Sequence, residues 1–216
     1  MEKHCPEEDL TLALTSQVTM DDDEEDEEKG NEPGRESRLI LDLLKKERTI
    51  FISEVVTPKL TQRIAAQLLW LDSISEDPIK LYINTPGGSA DDGFAIHDMV
   101  RYVKAPVFNI CFGLNASAGI LILLSTDKER RFALPNARLM MHQPSGGGRG
   151  QASDIEITAR EILKLRLRAN EMISEQTGKP IEEVQNSTDR DCWLSAEEAR
   201  DYGLVSQIIT SLRDIM

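Results

Sequence analysis

Short apolar runs alternate with longer amphipathic segments along most of this chain, and the alternation limits the folds that it can adopt. Residues 79–83 alternate apolar and polar side chains, which is typical of a strand with one buried face. The segments on either side carry apolar residues at helical spacing, and apolar runs at 107–111 and 138–141 repeat the pattern. Strands separated by helices favour a parallel sheet with right-handed crossovers. The sequence therefore predicts one α/β domain.

Capping residues predict where several of these elements begin. Thr57 and Pro58 are a typical N-cap and first residue of a helix, and Ser195 with Glu198 forms a capping box. We expect four residues of the first of these helices to face the core: Ile64, Leu68, Leu69 and Leu71. Further strands are predicted at 49–52, 192–194 and 205–209, and further helices at about 39–44, 90–103 and 117–125.

The longest predicted helix covers about residues 153–177. Gly178 favours a left-handed C-cap, and we expect Pro180 to prevent the helix from restarting. Six charged residues lie on several of its faces: Glu156, Arg160, Glu161, Lys164, Arg166 and Arg168. Because a helix this polar does not suit a buried core, we expect it to project and to pack against another subunit.

The first 36 residues differ in composition from the remainder of the 216-residue chain. They hold 14 Asp and Glu against 3 Lys and Arg, so they carry −11 of the total net charge of −13 and leave −2 for residues 37–216. The unbroken acidic run at 21–28 repels itself and cannot bury apolar surface, which predicts a mobile segment. Apolar and polar residues alternate at 10–15, which fits either a frayed terminus or a docking segment.

Composition also limits compartment and partners. The nearly neutral remainder has no basic patch, so we do not expect nucleic acid as a partner. The longest apolar stretch near a candidate helix, 118–124, is far shorter than the roughly 20 residues that a bilayer span needs, and we find no secretory signal pattern. Cys5, Cys111 and Cys192 are widely spaced and form neither a disulfide framework nor a zinc motif. We therefore expect a cytoplasmic protein that binds no membrane and no metal.

Ser117 lies at a predicted junction between a strand and a helix. Its neighbours in Ala116-Ser117-Ala118-Gly119 are small enough for a peptide backbone to approach the hydroxyl. The N–H of Ala118 at the helix N-terminus could stabilise an oxyanion there, and the N–H of Gly88, in a turn at the same sheet edge, is the candidate second donor. A serine before a helix is more often an N-cap, so this motif alone does not establish an active site.

A serine hydroxyl needs a base at neutral pH, and histidine is the expected one. His4 lies in the acidic segment, and His97 lies within a predicted helix, where we expect it at a surface or an interface. His142 ends a strand before a glycine loop, where parallel sheets place their sites, although it could also cap the strand end. As the carboxylate that orients the imidazole, Asp191 is preferred, while Asp189 is a rival that periodicity does not separate from it.

Five segments resemble the signature blocks of the Clp protease proteolytic subunit. They are Asn84-Thr85-Pro86-Gly87-Gly88, Ala116-Ser117-Ala118-Gly119, Met141-His142-Gln143-Pro144, residues 150–156 and Thr188-Asp189-Arg190-Asp191. The order Ser, His, Asp and the spacings of 25 and 49 residues match that family without insertion. The resemblance covers about residues 37–209.

The resemblance implies the crotonase-like ββα superhelix of the ClpP family, with a protruding handle of helix and strand at about residues 145–178. It also implies the roles of five residues: the nucleophile Ser117, the general base His142, its orienting partner Asp191, and the oxyanion-hole donors Gly88 and Ala118. Asp189 and Arg190 resemble the pair that links two rings and couples assembly to the active site. We place the domain boundary after residue 36, with the peptidase domain at 37–216.

The resemblance further implies an ATP-dependent protease. Two heptameric rings would stack as a tetradecamer around a chamber in which a serine endopeptidase cuts unfolded proteins into short peptides. A hexameric AAA+ unfoldase of the ClpX, ClpA or ClpC type would feed the chamber and use the ATP. The chain itself would need no cofactor and no metal.

Two features depart from the family pattern. The family usually has Met directly after the nucleophile, where this chain has Ala118, so we expect retained activity with an altered wall of the S1 pocket. The acidic run at 21–28 stands near the place of a mostly apolar axial loop, and residues 10–20 could hold the start of a processed chain. Repeated around a ring, the run would create a strong negative field at the pore, and we hypothesise that it tunes gating or the choice of ATPase.

Three alternatives to an active, self-sufficient protease remain at this point. The chain could be an inactive ring subunit, although all three catalytic residue types are present. It could be an acyl-CoA enzyme of the same superfold, although those enzymes generally use carboxylates. It could also be a subunit that is active only in a mixed ring with a paralogue.

Overall fold

The computed structural model of the chain describes residues 35–147 and 149–215. The acidic run at 21–28, the alternating segment at 10–15, the hypothesis of processing at 10–20 and His4 lie outside these residues. The domain boundary proposed after residue 36 is not tested by the structure and stays a prediction.

Within the described residues, the strands form one sheet. They are β1 (Thr49–Ile52), β2 (Ile79–Thr85), β3 (Val107–Ala116), β4 (Arg131–Ala133), β5 (Arg138–Met141), β6 (Cys192–Ser195) and β7 (Gln207–Ile208). The order is β1-β2-β3-β4-β7, and β5 pairs with both β3 and β6. All pairs are parallel except β5 with β6, which is antiparallel. The predicted parallel sheet is confirmed, with one antiparallel strand added.

Helices connect and cover the strands. They are α1 (Arg35–Glu47), α2 (Pro58–Ile74), α3 (Ala90–Tyr102), α4 (Ala118–Leu123), α5 (Ala152–Thr177), α6 (Ile181–Thr188) and α7 (Ala196–Tyr202), with 3₁₀ turns at Lys128–Arg130 and Leu212–Ile215. The predicted caps are confirmed: the Thr57 side chain accepts from the N–H of Leu60, and Ser195 and Glu198 form both bonds of a capping box. Gly178 ends α5 in the left-handed conformation, with a φ of 76°.

The expectation that Pro180 prevents a new helix was wrong. Pro180 is the N-cap of α6, and the helix begins at the next residue, Ile181. Proline has no N–H to donate and a fixed φ near the helical value, so it disrupts the interior of a helix but is tolerated at its start.

Another correction concerns the core-facing side of α2. Ile64, Leu68 and Leu71 are almost fully buried as predicted, whereas Leu69 is 46% exposed. Leu69 follows Leu68 directly, and consecutive helix positions are about 100° apart around the axis, so only one of the two can point into the core. The buried face of α2 is therefore narrower than the apolar composition indicates.

The carboxyl ends of three strands place candidate residues at one edge of the sheet. β2 ends at Thr85, just before the Gly87-Gly88 turn, β3 ends at Ala116, just before Ser117, and β5 ends at Met141, just before His142. Because β2 and β5 are both parallel to β3, these ends point the same way. The register pairs Thr85 with Asn115, and Ala116 with Met140.

Candidate active site

Ser117 lies in a sharp turn between β3 and α4. Its φ of 56° and ψ of −119° are unusual for a residue other than glycine and cost on the order of 1–3 kcal/mol. The turn is held on both sides: the N–H of Ser117 donates to the carbonyl of Met140 at 2.9 Å, and its carbonyl accepts from the N–H of Ile120 at 2.9 Å. The Ser117 side chain makes no capping bond to α4, so its hydroxyl is available to another group.

His142 follows β5 directly and brings its imidazole to this hydroxyl. Nε2 of His142 lies 2.8 Å from Oγ of Ser117, which is hydrogen-bonding distance. The His142 side chain is 25% exposed, so the ring is partly shielded but open on one side. The strand ends of β3 and β5 thus bring together two residues that are 25 positions apart.

Asp191 completes the chain of hydrogen bonds. Its Oδ1 lies 3.0 Å from Nδ1 of His142, because the antiparallel register sets Met141 opposite Cys192, so that His142 and Asp191 are the next residues beyond that pair. A carboxylate only accepts hydrogen bonds, so Nδ1 carries the proton and donates to Asp191. Nε2 is then the unprotonated nitrogen that can accept the proton of the Ser117 hydroxyl.

The Gly87-Gly88 turn is packed against the turn that holds Ser117. Gly87 has a φ of +94°, and a Cβ at this position would lie 2.6 Å from Cβ of Ser117 and 2.7 Å from the Ala116 carbonyl oxygen. Gly88 has a φ of +150°, and a Cβ there would collide with the carbonyl of Val56. Only glycine fits at both positions, because other residues would add both backbone strain and a collision.

A cavity of about 220 Å³ opens beside these groups. Gly88, Ser117, Ala118 and His142 line its polar side. Its apolar side is formed by Phe94, Leu121, Met141, Ile162, Leu165 and Ile173. The site can therefore bind a substrate that places a carbonyl group beside the Ser117 hydroxyl and an apolar side chain in the cavity.

The sequence was also compared with known families. Residues 32–212 match the family model described as Clp protease, which covers most of the chain. The chain belongs to the Clp protease family. The resemblance seen in the five sequence segments is thereby confirmed, and so is the predicted enzyme class, because Clp proteases are serine peptidases.

Individual Clp protease relatives match nearly the whole chain. The ATP-dependent Clp protease proteolytic subunit 3 of Rhizobium etli is 49% identical over 197 residues, 91% of this chain and 100% of the relative. The ATP-dependent Clp protease proteolytic subunit 2 of Treponema denticola is 45% identical over 193 residues, 89% of this chain and 96% of the relative. A solved structure of a ClpP1 mutant from Listeria monocytogenes has a TM-score of 0.77 and 43% identity, covering 82% of this chain and 99% of that chain. The predicted ClpP-type α/β fold is thereby confirmed.

The structure separates the two aspartates that compete as partner of His142. Asp189 accepts hydrogen bonds from Nε2 of Gln143, at 2.7 Å to its carbonyl and 3.4 Å to Oδ1. The same Oδ1 lies 3.5 Å from Nη2 of Arg166 on α5. Asp189 therefore faces the handle, and Asp191 contacts the imidazole.

Arg190 is exposed and lines an open groove. The contact between rings through Asp189 and Arg190 stays a prediction, because it involves a second ring.

His97 was expected at a surface or an interface, but it is only 7% exposed. It lies on α3, with Nδ1 3.2 Å from Oδ1 of Asp98, and it lines a second cavity together with Arg101 and Glu171. Burial lowers the pKa of His97 below its ordinary value, more than the contact with Asp98 raises it. The expected surface position is therefore wrong, whereas an interface position is not tested by a single chain. α3 packs chiefly against α2 and α4, and the His97 ring bonds to the backbone of Leu124 just after α4, a contact between separate segments that helical periodicity does not reveal.

Cys111 is not an alternative nucleophile. Cys111 is fully buried in β3, and burial raises the pKa of its thiol to about 12, so the thiol stays protonated at neutral pH.

Residues 35–147 and 149–215 contain no group of three or more side chains that could hold a metal ion. In the same part of the chain, no helix is both long and apolar enough to cross a membrane.

Sequence reasoning missed several residues that support the site. Gln143 and Arg166 hold Asp189, and Thr85 bonds to the glycine turn. Gln143 stands beside His142 and Thr85 stands two residues before Gly87, so proximity to the predicted site was the available signal. Arg166 offered none, because it lies on a helix with several other exposed cations.

Proposed function

We propose that this chain is the peptidase subunit of an ATP-dependent Clp protease, in which Ser117 is the nucleophile, His142 the general base and Asp191 its orienting partner. The observation that carries the proposal is the unbroken chain of hydrogen bonds from Oγ of Ser117 through His142 to Asp191, at 2.8 Å and 3.0 Å. Nucleophile, base and orienting carboxylate in this geometry are the arrangement of a serine peptidase.

In acylation, Nε2 of His142 removes the Ser117 proton as Oγ attacks the carbonyl carbon of a peptide bond. The carbonyl π electrons move to oxygen, which becomes an oxyanion, and Asp191 stabilises the imidazolium. His142 then gives its proton to the leaving amine as the C–N bond breaks. Water repeats the sequence on the acyl-enzyme and releases the carboxylic acid product.

The N–H groups of Gly88 and Ala118 are the proposed donors to the oxyanion. Ala118 is the first residue of α4, so its N–H has no partner within that helix. Gly88 lines the same cavity as Ser117. One well-placed donor of this kind lowers the barrier by about 3–4 kcal/mol.

The native substrates are proposed to be unfolded polypeptides, and the assembly two stacked heptameric rings that receive them from a hexameric AAA+ unfoldase. The curated relatives are named proteolytic subunits of an ATP-dependent protease, which supports this division of labour. ATP is then used by the partner, and the acyl transfer above needs no cofactor on this chain. The proposed compartment is the cytoplasm.

The proposed ring contact lies on the handle, residues 145–178, with Asp189 and Arg190 beside it. α5 exposes four large apolar side chains that suit burial against a second ring: Ile155, Ile157, Leu163 and Leu167. The ion pair of Asp189 with Arg166 would then transmit the position of α5 to the strand that begins after Asp191.

The decisive experiment uses the purified full chain with a fluorogenic peptide and a fluorophosphonate label. Ser117→Ala should lose roughly 10⁶-fold in kcat and all labelling. Ser73→Ala is the matched control, because Ser73 is exposed near the end of α2 and its hydroxyl donates to the Trp70 carbonyl, away from the site. Equal hydrolysis by wild type and Ser117→Ala would refute the proposal. Native mass spectrometry of the same samples would show whether the ring needs a paralogue.

A further inference from the structure

Thr85 is the last residue of β2 and is completely buried. Its hydroxyl donates to the carbonyl of Glu54 at 2.6 Å and accepts from the N–H of Gly87 at 3.1 Å. One side chain therefore joins the segment after β1 to the first glycine of the turn beside Ser117. The proposed acyl-transfer mechanism gives this side chain no role.

The peptide between Gly87 and Gly88 is held from the other side. The N–H of Val56 donates to the carbonyl of Gly87 at 2.8 Å, and the N–H of Ser89 donates to the carbonyl of Val56 at 3.0 Å. The carbonyl and the N–H of a trans peptide point in opposite directions. Because the Gly87 carbonyl points at Val56, the Gly88 N–H of the same peptide points away from Val56. The Thr85 hydroxyl fixes the preceding peptide, so both peptides around Gly87 have a set orientation.

The methyl group of Thr85 packs beside the helix turn that carries the other proposed donor. A Cβ at Gly119 would lie 2.7 Å from Cγ2 of Thr85, so this methyl group packs against the first turn of α4. That turn begins with Ala118. The two branches of one β-branched side chain thus contact both backbone segments that carry the proposed oxyanion donors.

We propose that Thr85 is a positioning residue for the oxyanion hole: its hydroxyl fixes the peptide before Gly87 and thereby supports the next peptide, which carries the Gly88 N–H, and its methyl group supports the turn that carries the Ala118 N–H. This inference rests on the proposed peptidase function. It follows that the hydroxyl matters more for the chemical step than for substrate binding, because the donors engage the oxyanion more strongly than the ground-state carbonyl.

Two variants separate the two branches of Thr85. Thr85→Val keeps the shape and a methyl group and loses the hydroxyl, and we expect kcat to fall by roughly 10²-fold with KM changed less than about threefold. Thr85→Ser keeps the hydroxyl and loses the methyl group, and we expect it to retain kcat within about fivefold of wild type. Native mass spectrometry and a melting curve verify assembly for each variant. If Thr85→Val does not assemble, Thr85→Cys, with a weakly hydrogen-bonding thiol, replaces it in the same comparison.

A pair of inhibitors tests the oxyanion hole directly. A peptide aldehyde reacts with Ser117: Oγ bonds to the aldehyde carbon, the carbonyl π bond breaks toward oxygen, and the hydroxyl proton passes to His142. The resulting oxygen occupies the hole, whereas the corresponding peptide alcohol places no oxyanion there. In Thr85→Val, the inhibition constant of the aldehyde should rise by the factor by which kcat/KM falls, and that of the alcohol should stay constant.

The possible results each decide the question. An assembled Thr85→Val enzyme with wild-type kcat overturns the inference. An equal loss of kcat in Thr85→Val and Thr85→Ser also overturns it, as does an equal change in the inhibition constants of the aldehyde and the alcohol. These results leave the proposed function intact as long as wild type is active and Ser117→Ala is not. A correctly assembled wild type that neither hydrolyses peptide nor takes the fluorophosphonate label at Ser117 would instead contradict the proposed function.

Discussion

Gly87 and Ser117 are in direct contact: a Cβ placed on Gly87 would lie 2.6 Å from Cβ of Ser117. The first prediction follows from this contact. In Gly87→Ala, the new methyl group collides with Ser117, and the φ of +94° is strained for alanine. Either the glycine turn or the turn that holds Ser117 must therefore move. We expect kcat/KM to fall by roughly 10²-fold or more, since a shift of about 1 Å in reacting groups has that effect. Steady-state kinetics on the assembled protein will measure it.

Gly178→Ala is the matched control for this substitution. Gly178 also has a positive φ, +76°, but a Cβ there would meet nothing within 4 Å. The strain should cost about 1 kcal/mol of folding free energy and leave kcat unchanged. A similar loss of kcat in both variants would show that backbone strain, and not the contact with Ser117, is responsible.

The second prediction concerns the carboxylate behind His142. Asp191→Asn replaces an acceptor by an amide that can donate to Nδ1, which favours the wrong tautomer of the imidazole. We expect kcat to fall by about 10⁴-fold with little change in assembly. Asp201→Asn is the control, because Asp201 is exposed and pairs with its neighbour Arg200. Retention of more than a tenth of the wild-type kcat by Asp191→Asn would contradict the role given to Asp191.

The third prediction tests which side of α2 faces the core. Leu68 is completely buried, whereas its neighbour Leu69 is 46% exposed. Leu68→Ala should lower the free energy of unfolding by about 2–5 kcal/mol, since it removes core contacts and leaves a cavity. Leu69→Ala should change it by less than about 0.5 kcal/mol. Denaturant or thermal unfolding of the two variants will measure the difference, and equal losses would mean that Leu69 is also covered in the assembly.

The fourth prediction is a pH dependence of stability that comes from His97. Its pKa in the folded protein lies below its ordinary value of 6.5 because of burial. In the window between these two pKa values the unfolded chain binds more protons, so stability falls as the pH decreases through about 6.5. His97→Gln removes this contribution, and we expect a smaller drop in Tm between about pH 7.5 and about pH 5.5.

The charged groups around His97 are Asp98, Arg101, Arg168, Glu171 and Glu175. They are unchanged in the variant, so the comparison with wild type isolates the imidazole. An identical pH dependence of Tm in the two proteins would mean that His97 does not contribute.

The alternation of strands and helices was predictable because its periodicity records which faces are buried. β2 shows this clearly, since alternate side chains from Ile79 to Thr85 are buried. β4 was missed because it has only three residues and begins with Arg131, a cation that is nevertheless 1% exposed. A short strand that starts with a charged residue carries no apolar pattern to detect.

The candidate site was predictable in part. The sequence indicated which serine and which histidine to consider, because both follow strands, Ser117 among small residues and His142 ahead of a glycine loop. It did not separate Asp189 from Asp191, because residues two apart share one side of an extended chain. The antiparallel register of β5 with β6 separates them, and that register is a pairing between segments about fifty residues apart, which local patterns do not encode.

The pairing of β5 with β6 also determines which changes of chain length this enzyme could tolerate. α5 and α6 lie between His142 and Asp191 along the chain, but the pairing of Met141 with Cys192 is what places these two residues side by side. Insertions or deletions in the intervening loops would leave Met141 opposite Cys192, so the handle could vary in length while the general base keeps its carboxylate. A slip of a single residue between the two strands would instead turn Asp191 to the opposite face of the sheet.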